Sequence, residues 1–66
     1  MVNEQLLNER KKQLHSLRSF AIRYRSKGKS DTMIINAYAY EKGMPVKDVA
    51  ELFQLLLDAE KLPRVI

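Results

Sequence analysis

The amino-acid sequence predicts a small all-α domain of three helices, a long N-terminal helix followed by a helical hairpin. Apolar residues recur at helical spacing through most of the 66-residue chain. A glycine stands where each of the first two periodic segments ends, and no segment shows the alternation of a strand over more than a few residues. We therefore expect one domain with helices at about 2–27, 31–42 and 45–61.

The first predicted helix carries a single apolar stripe. Its members occupy the a and d positions of a heptad and are Leu7, Leu14, Leu17, Ala21 and Tyr24. Arg10 interrupts the stripe, so we expect the first two turns to be less buried than the rest. Gly28 is expected to end the helix, because glycine takes the left-handed conformation after a helix C-terminus at little cost.

The two helices of the predicted hairpin have their own start and stop signals. Ser30 and Asp31 are both suitable N-caps for the second helix, and Gly43 is its expected stop. Pro45 suits the first turn of the third helix, where its missing N–H is not needed. Apolar residues cover more than half the circumference of this third helix. It is therefore either central in the bundle or part of an oligomer interface.

Composition narrows the class of protein further. The chain has no cysteine, which excludes disulfides and thiolate metal sites. A core of this size needs good packing or self-association for stability, so we expect a well-packed monomer or, as the favoured alternative, a homodimer.

No apolar run approaches the roughly 20 residues needed to cross a bilayer, and no secretory signal is visible. We expect a soluble cytoplasmic protein without a membrane partner.

Enzymatic activity is not expected. The single histidine, His15, occupies an outward heptad position, and the acidic residues of the second half are scattered singly along the predicted helices. The sequence contains no glycine-rich phosphate loop, no nucleophile elbow and no zinc-binding pair of histidines. We therefore predict no catalytic residues, no metal and no cofactor.

Positive charge is concentrated in the first half of the chain. Residues 1–29 contain eight Lys or Arg and two Glu, whereas residues 30–66 contain four Lys or Arg and six acidic residues. Such an asymmetry indicates an anionic partner for the basic half. The alternative is a solvated basic helix that keeps the protein soluble.

Six cations of the first helix and its end are the candidate nucleic-acid-binding residues. They are Lys11, Arg18, Arg23, Arg25, Lys27 and Lys29. Lys11, Arg18 and Arg25 are seven residues apart, so on a helix they form one row with a spacing of about 10.5 Å. A row of this kind can bind phosphates or face an acidic protein groove.

The second and third predicted helices resemble a helix-turn-helix in their spacing. The generic pattern has a small residue, a glycine four positions later and an apolar residue six after that, which here are Ala39, Gly43 and Val49. Met44 and Leu52 also occupy expected apolar positions. The chain is thus similar to the helix-turn-helix family over about a third of its length, and the resemblance implies DNA binding.

The match, over residues 34–53, also departs from that family. Lys42 stands where an apolar residue is usual, and a recognition helix normally presents polar or basic side chains. Here the outward residues would be Val46, Lys47, Ala50 and Glu51. A plain helical hairpin with a glycine C-cap explains the same spacing. We expect the first helix to supply most phosphate contacts and the hairpin to serve mainly as core.

Two functions stay open on the sequence. The first is a small nucleic-acid-binding regulatory protein, a homodimer whose basic first helix contacts phosphates. The second is a non-enzymatic accessory or inhibitor module that docks an apolar face of the third helix onto a protein partner. The candidate partner-binding residues for this second function are Leu52, Leu55, Leu56 and Leu57.

Overall fold

The computed structural model describes residues 4–64, with the side chains of residues 8–64. This part of the chain forms three α-helices, α1 (Glu4–Ser26), α2 (Asp31–Lys42) and α3 (Val46–Asp58), and contains no strand. Each helix packs against the other two. The predicted all-α, three-helix fold is confirmed, and the predicted helix start at residue 2 lies outside the described residues.

Among the described side chains of α1, burial begins at Leu14. Residues 8–13 are all exposed, Leu14 is half-buried, and Leu17 and Ala21 are fully buried. The side chain of Leu7, the first member of the predicted stripe, lies outside the described residues. The first two turns, which the sequence predicts to be less buried, lie mostly outside the residues whose side chains are described, and residues 8–13 that follow them are exposed.

The core is one cluster drawn from all three helices and from the segment after α3. Its buried members are Leu17, Phe20, Ala21, Ile34, Tyr38, Ala39, Val49, Leu52, Phe53, Leu56 and Leu62. Phe20 stacks on Tyr24 with ring centroids 4.2 Å apart and meets Tyr38 edge-on at 5.2 Å. Aromatic pairs of this geometry contribute about 0.5–1.5 kcal/mol each beyond the burial of their area. They tie α1 to α2.

Glycines end α1 and α2 as the sequence predicts. Gly28 and Gly43 have φ angles of 80° and 64°, which lie in the left-handed region. After Gly43, the N–H of Met44 donates to the Ala39 carbonyl at 2.9 Å, and the same pattern follows Gly28. Both ends are Schellman motifs, in which the left-handed residue lets the backbone satisfy helix carbonyls that would otherwise lack donors.

The hairpin helices begin at caps that differ in kind. Ser30 is the N-cap of α2, and its Oγ accepts the Met33 N–H at 3.3 Å. Asp31 is therefore the first helical residue and not the cap. Pro45 is the N-cap of α3, with extended backbone angles of −60° and 138° and no side-chain cap. The prediction that Pro45 lies inside the helix is off by one residue, because its ψ angle is extended.

The end of α3 differs most from expectation. The helix ends at Asp58 and not at residue 61, because Glu60 takes a left-handed φ of 57°. The N–H of Lys61 then donates to the Leu56 carbonyl at 2.9 Å, which completes a third Schellman motif. The chain turns back and buries Leu62, only 1% exposed, against the core. Non-glycine residues seldom adopt this conformation, so the sequence gives no local sign of the turn.

Between residues 4 and 64, no helix combines the length and the apolar character that crossing a membrane requires.

Candidate nucleic-acid interface

The side of α1 that points away from the core is cationic. Residues 10–30 contain eight Lys or Arg and neither Asp nor Glu. We define the outer face of α1 by its exposed residues opposite the buried stripe, which are Lys11, Lys12, His15, Ser19, Ile22, Arg23 and Ser26. Exposed lysines 27 and 29 continue the charge beyond the end of the helix. The cations at the two ends of this surface, Lys11 and Lys12 at one end and Arg23 at the other, can attract a polyanion.

Four of the six predicted phosphate-binding cations are exposed. They are Lys11, Arg23, Lys27 and Lys29. Within the described side chains, residues 8–64, none of the four takes part in an ion pair. The Nζ of Lys27 lies 5.5 Å from the centroid of the Tyr24 ring, a weak cation–π contact that holds it at the end of α1. These four cations can reach an anion without breaking an internal salt bridge.

Arg25, by contrast, is bound within the protein. Its Nε and Nη2 donate to the two carboxylate oxygens of Asp31 at 2.9 and 2.8 Å. Its Nη1 donates to the Pro63 carbonyl, and its guanidinium carbon lies 5.7 Å from the centroid of the Phe53 ring. The side chain is only 17% exposed. Arg25 therefore joins α1, α2 and the segment after α3, and the predicted row of cations does not continue to it on the surface.

Arg18 has an intermediate position. It is half-buried, and its Nε donates to the Lys61 carbonyl at 2.8 Å. This hydrogen bond fastens the segment after α3 to the middle of α1. Arg18 thus contributes positive charge near the surface, but its orientation is set by the fold.

A groove lies beside the outer face, between α1 and the end of α3, with a volume of about 520 Å³. Its apolar floor is formed by Leu14, Leu55, Leu56 and Ala59. Its rim is formed by Lys11, His15, Arg18 and Lys61. No acidic residue of the described chain lines it. We term this the basic groove, and it brings together members of both sets of residues that the sequence singles out.

The four leucines predicted to bind a partner do not share one surface. Leu52 and Leu56 are 5% and 3% exposed and belong to the core, and Leu57 is half-buried against it. Leu55 alone is exposed, at 44%, and it lies in the basic groove. α3 is therefore central in the bundle. The homodimer stays a prediction. It was suggested by the many apolar residues of α3, and most of these are buried within the core of the single chain.

The helix-turn-helix spacing is accounted for by packing. Ala39 and Val49 are buried, at 3% and 0% exposure, and Gly43 has the left-handed φ that ends α2. The outward positions of α3 give little positive charge, since Val46, Lys47 and Glu51 are exposed and Ala50 is half-buried. The hairpin thus serves the core, and the start of α3 presents Lys47 to solvent beside the two acids Asp48 and Glu51.

Sequence reasoning missed residues that matter because of where the chain folds back. Lys61 and Ala59 line the basic groove, and Leu62 closes the core. The ion pair between Arg25 and Asp31 could have been predicted from the sequence, because the two opposite charges flank the Gly28 turn. No nearby residues in the sequence indicate that the segment after α3 lines the groove and closes the core.

No metal centre is present in the described part of the chain, in the sense that no three His, Cys, Asp or Glu side chains cluster there. His15 is exposed, as its outward heptad position predicts.

Searches of protein-family models, curated proteins and solved structures find no match to this chain.

Proposed function

We propose that this chain is a small nucleic-acid-binding protein that contacts phosphates through the outer face of α1. One observation carries the proposal: residues 10–30 present eight cations and no carboxylate, and most of these cations are exposed. Phosphate contacts dominate the affinity of proteins for nucleic acids. A helix face with cations and hydroxyl groups, and with no acid among them, suits such contacts.

The length of the outer face matches several phosphates. Lys12 and Arg23 are eleven residues apart, which corresponds to about 16.5 Å along α1. Each strand of duplex DNA carries one phosphate per about 3.4 Å of helix axis. Lys27 and Lys29 extend the contact beyond the helix. One molecule can therefore reach about five phosphates of one strand, or roughly half a turn of the duplex.

The chemistry of these residues favours binding that depends on charge more than on base sequence. Exposed lysines act as mobile point charges, and the exposed guanidinium of Arg23 can donate two hydrogen bonds to one phosphate. The hydroxyl of Ser19 can add a neutral hydrogen bond. The outward residues of α3 supply a single cation, Lys47, so we expect the hairpin to make few contacts that distinguish one base from another. Arg25 is not part of this interface, because Asp31 and Pro63 bind it.

The proposal is tested by the salt dependence of binding. Fluorescence anisotropy with labelled duplex DNA and duplex RNA would be measured over a series of salt concentrations. We expect the logarithm of the association constant to fall linearly with the logarithm of salt, with a slope of about −0.9 per phosphate contact on DNA. Replacing Lys12, Arg23 and Lys29 together by Gln should weaken binding and reduce the slope by about 1 per lost contact.

A matched control removes the same amount of charge elsewhere. Lys42, Lys47 and Arg64 are exposed and lie off α1, so replacing all three by Gln should leave the slope unchanged. Absence of binding to either duplex at low salt would contradict the proposal. An equal loss in both triple variants would contradict it too, since only net charge would then matter.

A further inference from the structure

We infer that the basic groove docks an acidic segment of a partner protein, in which Asp or Glu residues flank a bulky apolar side chain. This goes beyond nucleic-acid binding, because the basic groove has an apolar floor that the outer face of α1 lacks, although the two surfaces share Lys11 and His15. The outer face of α1 offers mainly cations and hydroxyl groups, whereas the basic groove offers charge around an apolar floor.

The floor contains an apolar side chain that the fold leaves in solvent. Leu55 is 44% exposed, although Leu52 and Leu56 beside it on α3 are buried in the core. Leu14 and Leu56 line the groove next to it, and exposed Ala59 leaves room above the end of α3. A bulky apolar side chain of a partner can therefore settle on Leu55 and exclude water from the floor.

The rim is set at a defined spacing. Lys11 and Arg18 lie seven residues apart on α1, so their backbone positions are about 10.5 Å apart along the helix, on one side of the groove. The hydrogen bond from Arg18 Nε to the Lys61 carbonyl, 2.8 Å long, fixes this edge where the chain folds back. A helical partner with acidic residues at positions i and i+7, and Leu between them at i+3 or i+4, matches the rim and the floor together.

Charge complementarity decides which occupant the groove suits. A phosphate backbone would satisfy Lys11, Arg18 and Lys61 but would leave the leucine floor in water. A small organic anion is poorly enclosed, because ligand sites bury most of the ligand surface and both Leu55 and Ala59 remain exposed here. An acidic amphipathic segment satisfies both parts of the surface.

The test uses the whole chain and a labelled helical peptide of about two to three turns, with Glu at i and i+7 and Leu at i+3 and i+4. Two control peptides carry Gln in place of Glu, or Ala in place of Leu. We expect the parent peptide to bind by fluorescence anisotropy and each control to bind about tenfold more weakly or worse. Equal binding of all three peptides, or of none, would overturn the inference.

Variants of the protein separate this site from the nucleic-acid interface. Leu55→Ser and, as a second variant that leaves every core residue in place, Ala59→Glu should each weaken peptide binding by about tenfold or more. Leu55→Ser should leave the salt-dependent binding of duplexes unchanged, because it removes no charge. The triple Gln variant at Lys12, Arg23 and Lys29 should show the reverse pattern. Peptide binding that survives both groove variants would refute the docking site, whatever the duplex measurements show.

Discussion

The clearest case at the scale of single residues is Arg25, whose neighbours in space change its role. In the sequence it is the third member of a row with Lys11 and Arg18. In the structure both carboxylate oxygens of Asp31 accept hydrogen bonds from it, and the pair is largely shielded, with side chains 17% and 29% exposed. Two parallel charge-assisted hydrogen bonds are stronger than neutral ones and fix geometry. Arg25 therefore stabilises the corner between α1 and α2.

The strength of this pair can be measured by a double-mutant cycle with Arg25→Gln and Asp31→Asn. We expect a coupling energy of about 1–2 kcal/mol in urea unfolding, because both partners are shielded and doubly hydrogen-bonded. The exposed pair of Arg64 and Asp58, with side chains 62% and 57% exposed, is the matched control. Its coupling should stay below about 1 kcal/mol. Similar couplings for the two pairs would show that Arg25 has no special structural role.

At the scale of elements, each helix ends with a left-handed residue. α1 and α2 use glycine for it, at φ angles of 80° and 64°, whereas α3 uses Glu60 at 57°. A side chain at the glycine positions would meet open space, so the preference for glycine there is conformational and not steric. The glutamate carries a conformational cost that a glycine would not, because the left-handed region costs other residues about 1–2 kcal/mol.

From these helix ends we expect two substitutions to change the free energy of unfolding in opposite directions. Glu60→Gly should raise the free energy of unfolding by about 0.5–1 kcal/mol, since relief of the strained φ exceeds the added entropy of the unfolded chain. Gly43→Ala should lower it by about 1 kcal/mol for the converse reason. Both are measured by chemical denaturation with circular dichroism. A loss of stability in Glu60→Gly would mean that Glu60 stabilises the turn in another way.

The whole molecule is a small bundle with one long helix. Its extents are 42 × 25 × 17 Å, and α1 is its longest helix, with 23 residues. The buried residues among side chains 8–64 form a single cluster, and natural domains have stabilities of about 0.05–0.15 kcal/mol per residue. A chain of this length thus has little stability in reserve. One core residue can decide whether it folds.

We expect truncation of Leu17 to lower the stability of the fold strongly. It is 0% exposed at the centre of α1, and truncation of such a leucine costs about 2–5 kcal/mol. Leu17→Ala should therefore lose most of its cooperative thermal transition. Ile22→Ala is the control on the same helix, because Ile22 is 45% exposed and a surface change usually costs within about 0.5 kcal/mol. Comparable losses in the two variants would contradict the assignment of the core.

The sequence by itself determined the three helices, the glycines that end α1 and α2, and the cationic character of residues 10–30. These features follow from interactions within a few residues: apolar spacing along one helix, the freedom of glycine, and the Ser30 cap. Local rules of this kind act before the chain is packed, and so they can be read without a fold.

Only the tertiary structure decided which cations are available and which leucines are exposed. Arg25 reaches Pro63, and Arg18 reaches Lys61, across more than half of the chain. These contacts exist because Glu60 ends α3 early and Leu62 returns to the core. The same return builds the basic groove around Leu55. Burial and pairing depend on residues far apart in sequence, so no local pattern could assign the internal role of Arg25 or the exposure of Leu55.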